Sequence, residues 1–208
     1  MNVLAIGAHY DDIELGCSGT LIKHTQKGDK VTMLVVTNSE YSSPAGVPIR
    51  SAASAHAEGR AAAKIIGAEL VCLNYSTHLV PFDEDLTKKI TQLVEDLKIE
   101  TVYAPWTGDL HRDHQNTARC ALMACRHIKK YLMYRSNFYN TESTFRGNFY
   151  SDISDLMDKK IEAISCHRSE VKRVNYKWLD VFKNEHSNAG YRTGVSYAEC
   201  FEVIRYLA

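Results

Sequence analysis

Several features that would narrow the function are missing from this sequence of 208 residues. No stretch approaches the roughly 18 apolar residues that a membrane-spanning helix needs, so we expect no membrane span. The 25 basic and 25 acidic residues cancel, and no basic stripe indicates a nucleic-acid partner. The composition is that of an ordinary globular protein, with 45% hydrophobic and 24% charged residues.

Paired cysteines and a leader segment are missing as well. The six cysteines are scattered and form no C-x-x-C pair, which supports neither a disulfide framework nor a thiolate zinc site. The chain starts almost directly with a strand pattern, without the charged leader and apolar run of a signal peptide. We therefore expect reduced cysteines and a cytoplasmic protein.

The segment Gly7 to Gly16, GAHYDDIELG, is the most informative part of the sequence. It follows the apolar run 3–6, which is short, branched and uncharged and therefore predicts a strand buried on both faces. His9, Asp11 and Asp12 then lie where this strand ends, at the edge where open α/β sheets bind ligands. A charged cluster beside a dry strand costs free energy unless it is paired or holds a metal.

Strand and helix patterns alternate through the first two thirds of the chain. Such repeated β-α-β units predict a mostly parallel sheet with helices on both faces. No repeat or linker is evident, so we expect one domain over residues 1–208. Predicted strands cover 3–7, 31–37, 70–73, 101–104 and 131–134, and predicted helices cover 18–27, 51–66, 82–97, 114–129, 155–166 and 169–182. The pattern at 197–206 fits either a strand or a helix.

A second polar cluster, GDLHRDH at residues 108–114, follows the fourth predicted strand. Both clusters therefore belong to the same edge of the sheet. Two histidines and a carboxylate suit a catalytic zinc with one position open for water. His9 and Asp12 would supply two ligands, and either His111 or His114 the third. A remaining carboxylate beside the water would act as a general base, and a remaining histidine would stabilise an oxyanion or protonate a leaving amine.

The segments HYDDIELG and HRDH resemble the two signature motifs of the PIG-L/LmbE-like family of zinc-dependent N-deacetylases, AHPDD and H-x-D-H. Their order, their spacing of about a hundred residues and the flanking strands agree, and weaker similarities extend over nearly the whole chain. The resemblance implies a Rossmann-like three-layer α/β sandwich and His9, Asp12 and His114 as the zinc ligands. A mixed His/Asp site also accepts iron, cobalt or nickel.

The resemblance also assigns catalytic roles. It implies that Asp11 is the general base and that His111 polarises the amide carbonyl and assists the leaving nitrogen. It makes Asp113 a partner that fixes the tautomer of a histidine. The implied reaction is hydrolysis of the acetamide of a small N-acetylated amine, most often a sugar related to N-acetylglucosamine, giving acetate and a free amine. A homo-oligomer is compatible with this sequence.

Two positions depart from the family pattern. Tyr10 replaces the usual proline between the histidine and the aspartates, and we expect it to line the mouth of the site. Ser76 stands where many relatives carry an aspartate, in a segment that we expect to contact substrate. These departures leave the identity of the sugar open.

Other polar and aromatic residues have simpler interpretations. We expect Asp109 to cap a helix, Arg50 and Arg192 to be solvated loop charges, and Trp106 either to stack on a sugar or to pack at the sheet edge. For five histidines we expect surface or satisfied interior positions, with His167 the weakest case. These are His56, His78, His127, His167 and His186.

The sequence argues against two alternative functions. A nucleotide-binding α/β protein needs a glycine-rich phosphate loop after the first strand, but no G-x-G-x-x-G is present and the carboxylates there would repel a phosphate. A metal-binding relative without activity is disfavoured because every catalytic residue type is present.

Overall fold

A seven-stranded sheet forms the centre of the computed structural model, which describes residues 1–207. Residue 208, the end of the expected domain, lies outside the described residues. The strands are β1 (Asn2–Gly7), β2 (Lys30–Thr37), β3 (Tyr41–Ser42), β4 (Pro48–Arg50), β5 (Glu69–Tyr75), β6 (Thr101–Pro105), β7 (Lys130–Tyr134), β8 (Phe149–Asp152) and β9 (Ala198–Tyr206). The helices are α1 (Asp12–Gln26), α2 (Ala52–Ile66), α3 (Glu84–Asp96), α4 (Arg112–Ala124), α5 (Met157–Ser165), α6 (Arg168–Arg173) and α7 (Lys177–Thr193).

The strand order of the sheet is β5-β2-β1-β6-β7-β9-β8. The first five strands in this order pair in parallel, and β9 adds antiparallel to β7 and β8. The predicted mostly parallel α/β sheet is therefore confirmed. Strands β3 and β4 form a separate small hairpin between β2 and α2, where no strand was predicted.

Helices cover both faces of the sheet because β1 sends alternate side chains to opposite sides. Helices α1, α2 and α5 cover one face, and α3 and α4 cover the other. No helix within residues 1–207 is both long and apolar enough to cross a membrane. One core contains Val3, Ala5, Ile13, Leu21 and Ile66, and the other contains Leu4, Ile6, Leu34, Ile90 and Ala121.

Helix α1 begins at Asp12, six residues before its predicted start at residue 18. The prediction failed because residues 12–22 are all buried, so the sequence shows no alternation between a polar and an apolar face. Gly16 also argues against a helix by propensity. In the fold, this glycine lets α1 approach the ring of Tyr134 on β7, where a Cβ atom would overlap the ring.

The C-terminal third also differs from the prediction. The helix predicted over 169–182 is two helices, since Asn175 and Tyr176 both have positive φ angles and end the helical path. Strand β8 is new, and the ambiguous segment 197–206 is strand β9. Helix α4 stops at Ala124, five residues early. Arg205 of β9 donates hydrogen bonds to two carbonyl oxygens just after it, at 3.3 and 2.6 Å.

A buried ion pair ties β9 and α5 to α1. The ammonium of Lys160 lies 2.7 Å from Glu199, and both side chains are fully buried. Lys160 also donates to two carbonyl oxygens of α1 at 2.9 Å, while Glu199 accepts from the backbone N–H groups of Gly19 and Thr20 at 2.8 and 2.7 Å. Burial opposes the charge of Glu199, but the Lys160 ammonium holds the pKa of this carboxyl below its usual value.

We predict that Glu199→Gln lowers the free energy of unfolding by about 3–5 kcal/mol at neutral pH, because Lys160 is left as an unpaired buried cation. The depressed pKa makes the carboxylate stabilising above the pKa of an unfolded glutamate. This contribution disappears as the pH falls through the folded-state pKa. Urea unfolding at neutral and acidic pH should show the difference between variant and wild type shrinking with acid.

The control is Asp85→Asn, which breaks an exposed ion pair with Lys89 and should leave stability nearly unchanged. Equal effects of the two substitutions would contradict the prediction.

Candidate metal centre

The parallel pairing of β1 with β6 brings the two polar clusters together. Residues Val3 and Ala5 pair with Thr101 and Tyr103, so both strands end at the same edge of the sheet. The turn after β1 leads into α1, and the turn after β6 leads into α4. The N-termini of both helices therefore lie at the same edge of the sheet. Their partial positive charges favour negatively charged groups there.

Three side chains from these turns converge. Nδ1 of His9 lies 3.1 Å from Nε2 of His114. The Asp12 carboxylate lies 3.2 Å from Nε2 of His114 and 3.7 Å from Nδ1 of His9. All three predicted ligands thus present donor atoms to one small volume.

The opposite nitrogens of the two imidazoles are held by carboxylates. Nε2 of His9 lies 2.9 Å from Asp113, and Nδ1 of His114 lies 3.1 Å from Asp109. In neutral rings these nitrogens carry the protons, so two lone pairs face each other across 3.1 Å. When both rings are neutral, a cation between them would accept both lone pairs, so the pair is suited to holding a metal ion.

The role of Asp109 differs from the prediction. His111, not Asp109, caps α4, and its Nδ1 accepts from the N–H of Asp113 at 3.2 Å. Asp109 is buried and also accepts from Asn137 at 2.8 Å. Burial alone would lower the pKa of His114, but the carboxylates of Asp12 and Asp109 outweigh burial and raise it to about 9.

Asp12 is a fixed, ionised carboxylate. One oxygen accepts from the N–H groups of Ala8 and His9 at 2.9 Å each, and the other accepts from Ser136 at 2.8 Å. Burial disfavours its charge, but His114 and His9 lower its pKa below the usual value. Its charge and orientation are therefore set by the protein, as a metal ligand requires.

Asp11 occupies a strained turn beside this cluster. Its φ of 123° is rare for a residue other than glycine. The backbone of the preceding residue, Tyr10, is held on both sides, since its N–H donates to Ser39 at 2.9 Å and its carbonyl accepts from Arg50 at 3.0 Å. Burial raises the pKa of Asp11 to about 7 even though Arg50, 3.3 Å away, favours its charge. A carboxyl with that pKa can take up a proton near neutral pH.

His111 lies beside the converging ligands as a neutral ring. Burial and the neighbouring His9 lower its pKa to about 4. Because Nδ1 accepts from a backbone N–H, the proton resides on Nε2, which leaves a donor for a ligand. One nitrogen from each of His9, His111 and His114 lies within 4.8 Å of the other two, so the geometry also permits a three-histidine set.

Asp113 is buried and holds the loop that follows β5. Its carboxylate accepts from the N–H groups of His78 and Val80 at 2.6 and 3.2 Å as well as from His9. Burial would raise its pKa, but the hydrogen bond from His9 and these backbone donors lower it to about 2. Asp113 therefore links His9 to a segment that lines the site.

The secondary expectations have different outcomes. Tyr10 does not line the mouth; it is buried and its hydroxyl contacts Nδ1 of His56 at 2.8 Å. Of the two alternatives for Trp106, packing at the sheet edge is the one observed, since the ring is buried against Phe145 with ring centroids 5.6 Å apart. Ser76 is exposed and outside the pocket lining, although the next two residues of its segment line the pocket. Arg192 is exposed, as expected, and lines a different cavity.

Several polar residues that line the pocket escaped the sequence analysis. Arg50 was expected in solvent, but its side chain is 2% exposed and bridges Asp11 and Glu58, at 3.3 and 2.9 Å. His78, expected at the surface, is exposed but lines the pocket, with its ring 5.6 Å from that of His111. A signal existed only for Ser136 and Asn137, because they directly follow the predicted strand 131–134 at the same sheet edge.

Comparison with known proteins defines the class as N-deacetylases. The family model described as PIG-L, GlcNAc-PI de-N-acetylase, matches residues 4–125, more than half of the chain. An uncharacterized deacetylase of Escherichia coli K12, YaiS, is 33% identical over 177 residues, covering 80% of this chain and 90% of that protein. The chain belongs to the PIG-L family, which confirms the resemblance found in the sequence.

Two further proteins extend the comparison. Diacetylchitobiose deacetylase of Thermococcus kodakarensis is 24% identical over 223 residues, covering 95% of this chain and 80% of that protein. The structure of N,N'-diacetylchitobiose deacetylase from Pyrococcus horikoshii superposes with a TM-score of 0.84 at 23% identity, covering 98% of this chain and 83% of that one. The latter likeness supports the three-layer α/β fold.

We predict that Arg50→Gln lowers the free energy of unfolding by about 3–5 kcal/mol, because it leaves Asp11 and Glu58 without a cation in a buried setting. Urea or thermal unfolding monitored by circular dichroism measures the loss. Lys89→Gln, which removes an exposed cation, should change stability little. A similarly small change for Arg50→Gln would show that the buried carboxylates do not depend on it.

Proposed function

We propose that this protein hydrolyses the acetamide of a small N-acetylated amino sugar to acetate and a free amine, using a divalent metal held by His9, Asp12 and His114. The convergence of two imidazole lone pairs and one fixed carboxylate carries the proposal. Membership of the PIG-L family supports the reaction. The substrate class is supported by the relative named for diacetylchitobiose.

Zinc is the proposed ion, since two imidazole nitrogens and one carboxylate oxygen form a site with an open position. A bound divalent metal would polarise the amide oxygen and acidify a water molecule. His111 is assigned outside the ligand set because its Nδ1 already accepts from a backbone N–H.

Asp11 is proposed as the general base. It lines the same pocket as His9 and His114, and its strained turn fixes the carboxylate beside them. Its carboxylate takes the proton of the attacking water and passes it to the leaving nitrogen. Arg50 holds the other side of this carboxylate, so the base keeps one orientation during the reaction.

His111 is proposed to stabilise the developing charge. Its neutral ring donates a hydrogen bond from Nε2–H to the carbonyl oxygen as water attacks and negative charge develops on that oxygen. The rigid position of the ring follows from its place as the cap of α4. Asp113 and Asp109 orient His9 and His114 through their second nitrogens.

The rival nucleotide-binding function finds no support in the geometry. The N-terminus of α1, where a phosphate would bind, carries the carboxylates of Asp11 and Asp12. We propose the cytoplasm as the setting of the reaction, which the six free cysteines support.

We predict that His9→Ala and His114→Ala each bind less than about one tenth of the zinc that the wild type binds, because each removes a ligand and leaves Asp12 poorly paired. Equilibrium dialysis followed by elemental analysis measures the metal content. Circular dichroism verifies that the variants are folded.

The matched comparison is His111→Ala, which should keep close to the wild-type zinc content. A loss of zinc from that variant as large as from His114→Ala would assign His111 to the ligand set and overturn the proposed one.

We predict that Asp11→Asn retains zinc and loses activity by about 10²–10⁴-fold, because the amide cannot accept the proton of the attacking water. Acetate release from N,N'-diacetylchitobiose by zinc-loaded protein measures the effect. An Asp11→Asn variant with wild-type turnover would rule out this residue as the base.

A further inference from the structure

Both arginines that line the metal-site pocket already face a carboxylate. These arginines are Arg50 and Arg173. Arg50 is paired with Asp11 and Glu58. Arg173 donates to Glu170 through Nε at 2.7 Å and through a terminal nitrogen at 2.6 Å. Neither guanidinium is left free to neutralise an anionic substrate.

The outer part of the pocket is aromatic instead. Tyr41, Tyr139 and Trp178 line it. The Tyr41 hydroxyl donates to Glu170 at 2.6 Å, which fixes this ring against the buried carboxylate. The Tyr139 side chain is 67% exposed, so its ring is free to receive a ligand at the rim. Aromatic rings of this kind pack against the apolar faces of sugar rings.

The volume of the pocket limits what lies inside it. At about 260 Å³ it is smaller than the roughly 300 Å³ at which sites for drug-sized ligands begin. An acetamido sugar fits such a space, and a group attached to that sugar would extend toward the exposed side of the pocket, where Tyr139 lies. The chemistry of the rim therefore decides which conjugates bind.

An anionic group at this rim would meet unfavourable surroundings. A carboxylate or phosphate loses hydration on entering and needs a free charged donor in return. In this pocket the anionic group would approach the carboxylates of Glu170 and Asp11, which already form ion pairs with the two guanidinium groups. An uncharged group loses less hydration and gains the aromatic contact.

We propose, building on the function proposed above, that the substrate is an uncharged glycoside of an N-acetylated amino sugar whose outer sugar packs against Tyr139. This assigns Tyr139 as a specificity-determining residue. It also places anionic conjugates, such as sugar phosphates, outside the preferred substrates.

The test compares N,N'-diacetylchitobiose with N-acetylglucosamine 1-phosphate on zinc-loaded wild-type protein. We expect kcat/KM for acetate release to be at least about tenfold higher for the neutral disaccharide. Calorimetric binding to Asp11→Asn, which does not turn over, should show the same order of affinities. Tighter binding and faster hydrolysis of the phosphate would overturn the inference while leaving the proposed function intact.

Variants of Tyr139 test the aromatic contact. Tyr139→Ala should raise KM for diacetylchitobiose roughly three- to tenfold with little change in kcat, whereas Tyr139→Phe should resemble the wild type. Tyr191→Ala is the matched control, since Tyr191 is 87% exposed and lies outside the pocket lining. An unchanged KM in Tyr139→Ala would overturn the assignment of this residue.

Glu170→Gln tests the charge argument. The amide still accepts from Tyr41 but no longer neutralises Arg173, so the preference for the neutral substrate should shrink at least about threefold. Arg112→Gln removes an exposed cation next to His111 that is outside the lining, and it should leave the preference unchanged. If the preference for the neutral substrate is unchanged in Glu170→Gln but changes in Arg112→Gln, the proposal is contradicted.

The proposed reaction is tested separately. If no N-acetylated sugar releases acetate while the neutral disaccharide still binds normally, only the proposed reaction is refuted.

Discussion

The site depends on the parallel pairing of β1 with β6. These strands are far apart in sequence, and each ends in a turn that leads to the N-terminus of a helix. The pairing puts both turns at one edge and brings His9 within 3.1 Å of His114. A crossover that placed β6 elsewhere in the sheet would separate the ligands by at least one strand spacing, about 4.8 Å, and no single ion would reach all of them.

Many charged side chains are buried away from water around the site, and each of them needs an ion pair or hydrogen bonds to offset its loss of hydration. Around the ligands, carboxylates bind imidazole nitrogens and backbone N–H groups, and Arg50 neutralises the carboxylates behind Asp11. Further along α1, Lys160 and Glu199 do the same for the helix that begins at Asp12. The cluster around His9, Asp12 and His114 is thus one end of a longer series of buried ion pairs that fixes α1. For this reason, substitutions in these ion pairs are expected to change both the stability of the protein and the geometry of the site, even where they lie far from the site.

Much of the fold was predictable because local patterns and global topology agree. Strands β1, β2, β6 and β7 are short apolar runs, and α2 and α3 have clear caps and helical spacing. The prediction of secondary structure failed for a helix that is buried on all sides and for a strand at the edge of the sheet. Helix α1 lacks an exposed face over residues 12–22, and β8 is a half-exposed edge strand of four residues that pairs with β9.

The sequence by itself determined the family, the mostly parallel character of the sheet and the six residues placed at its edge, because two specific motifs follow two recognisable strands. Only the tertiary structure decided how these residues are held: Asp109 orients His114, Arg50 is buried behind Asp11, and His78 joins the pocket. It also showed that Tyr10 and Trp106 lie in the packed interior. The physical reason is that strand and motif are local properties of the chain. The compensation of a buried charge depends on which distant side chain packs against it, and that choice is not encoded in any local pattern.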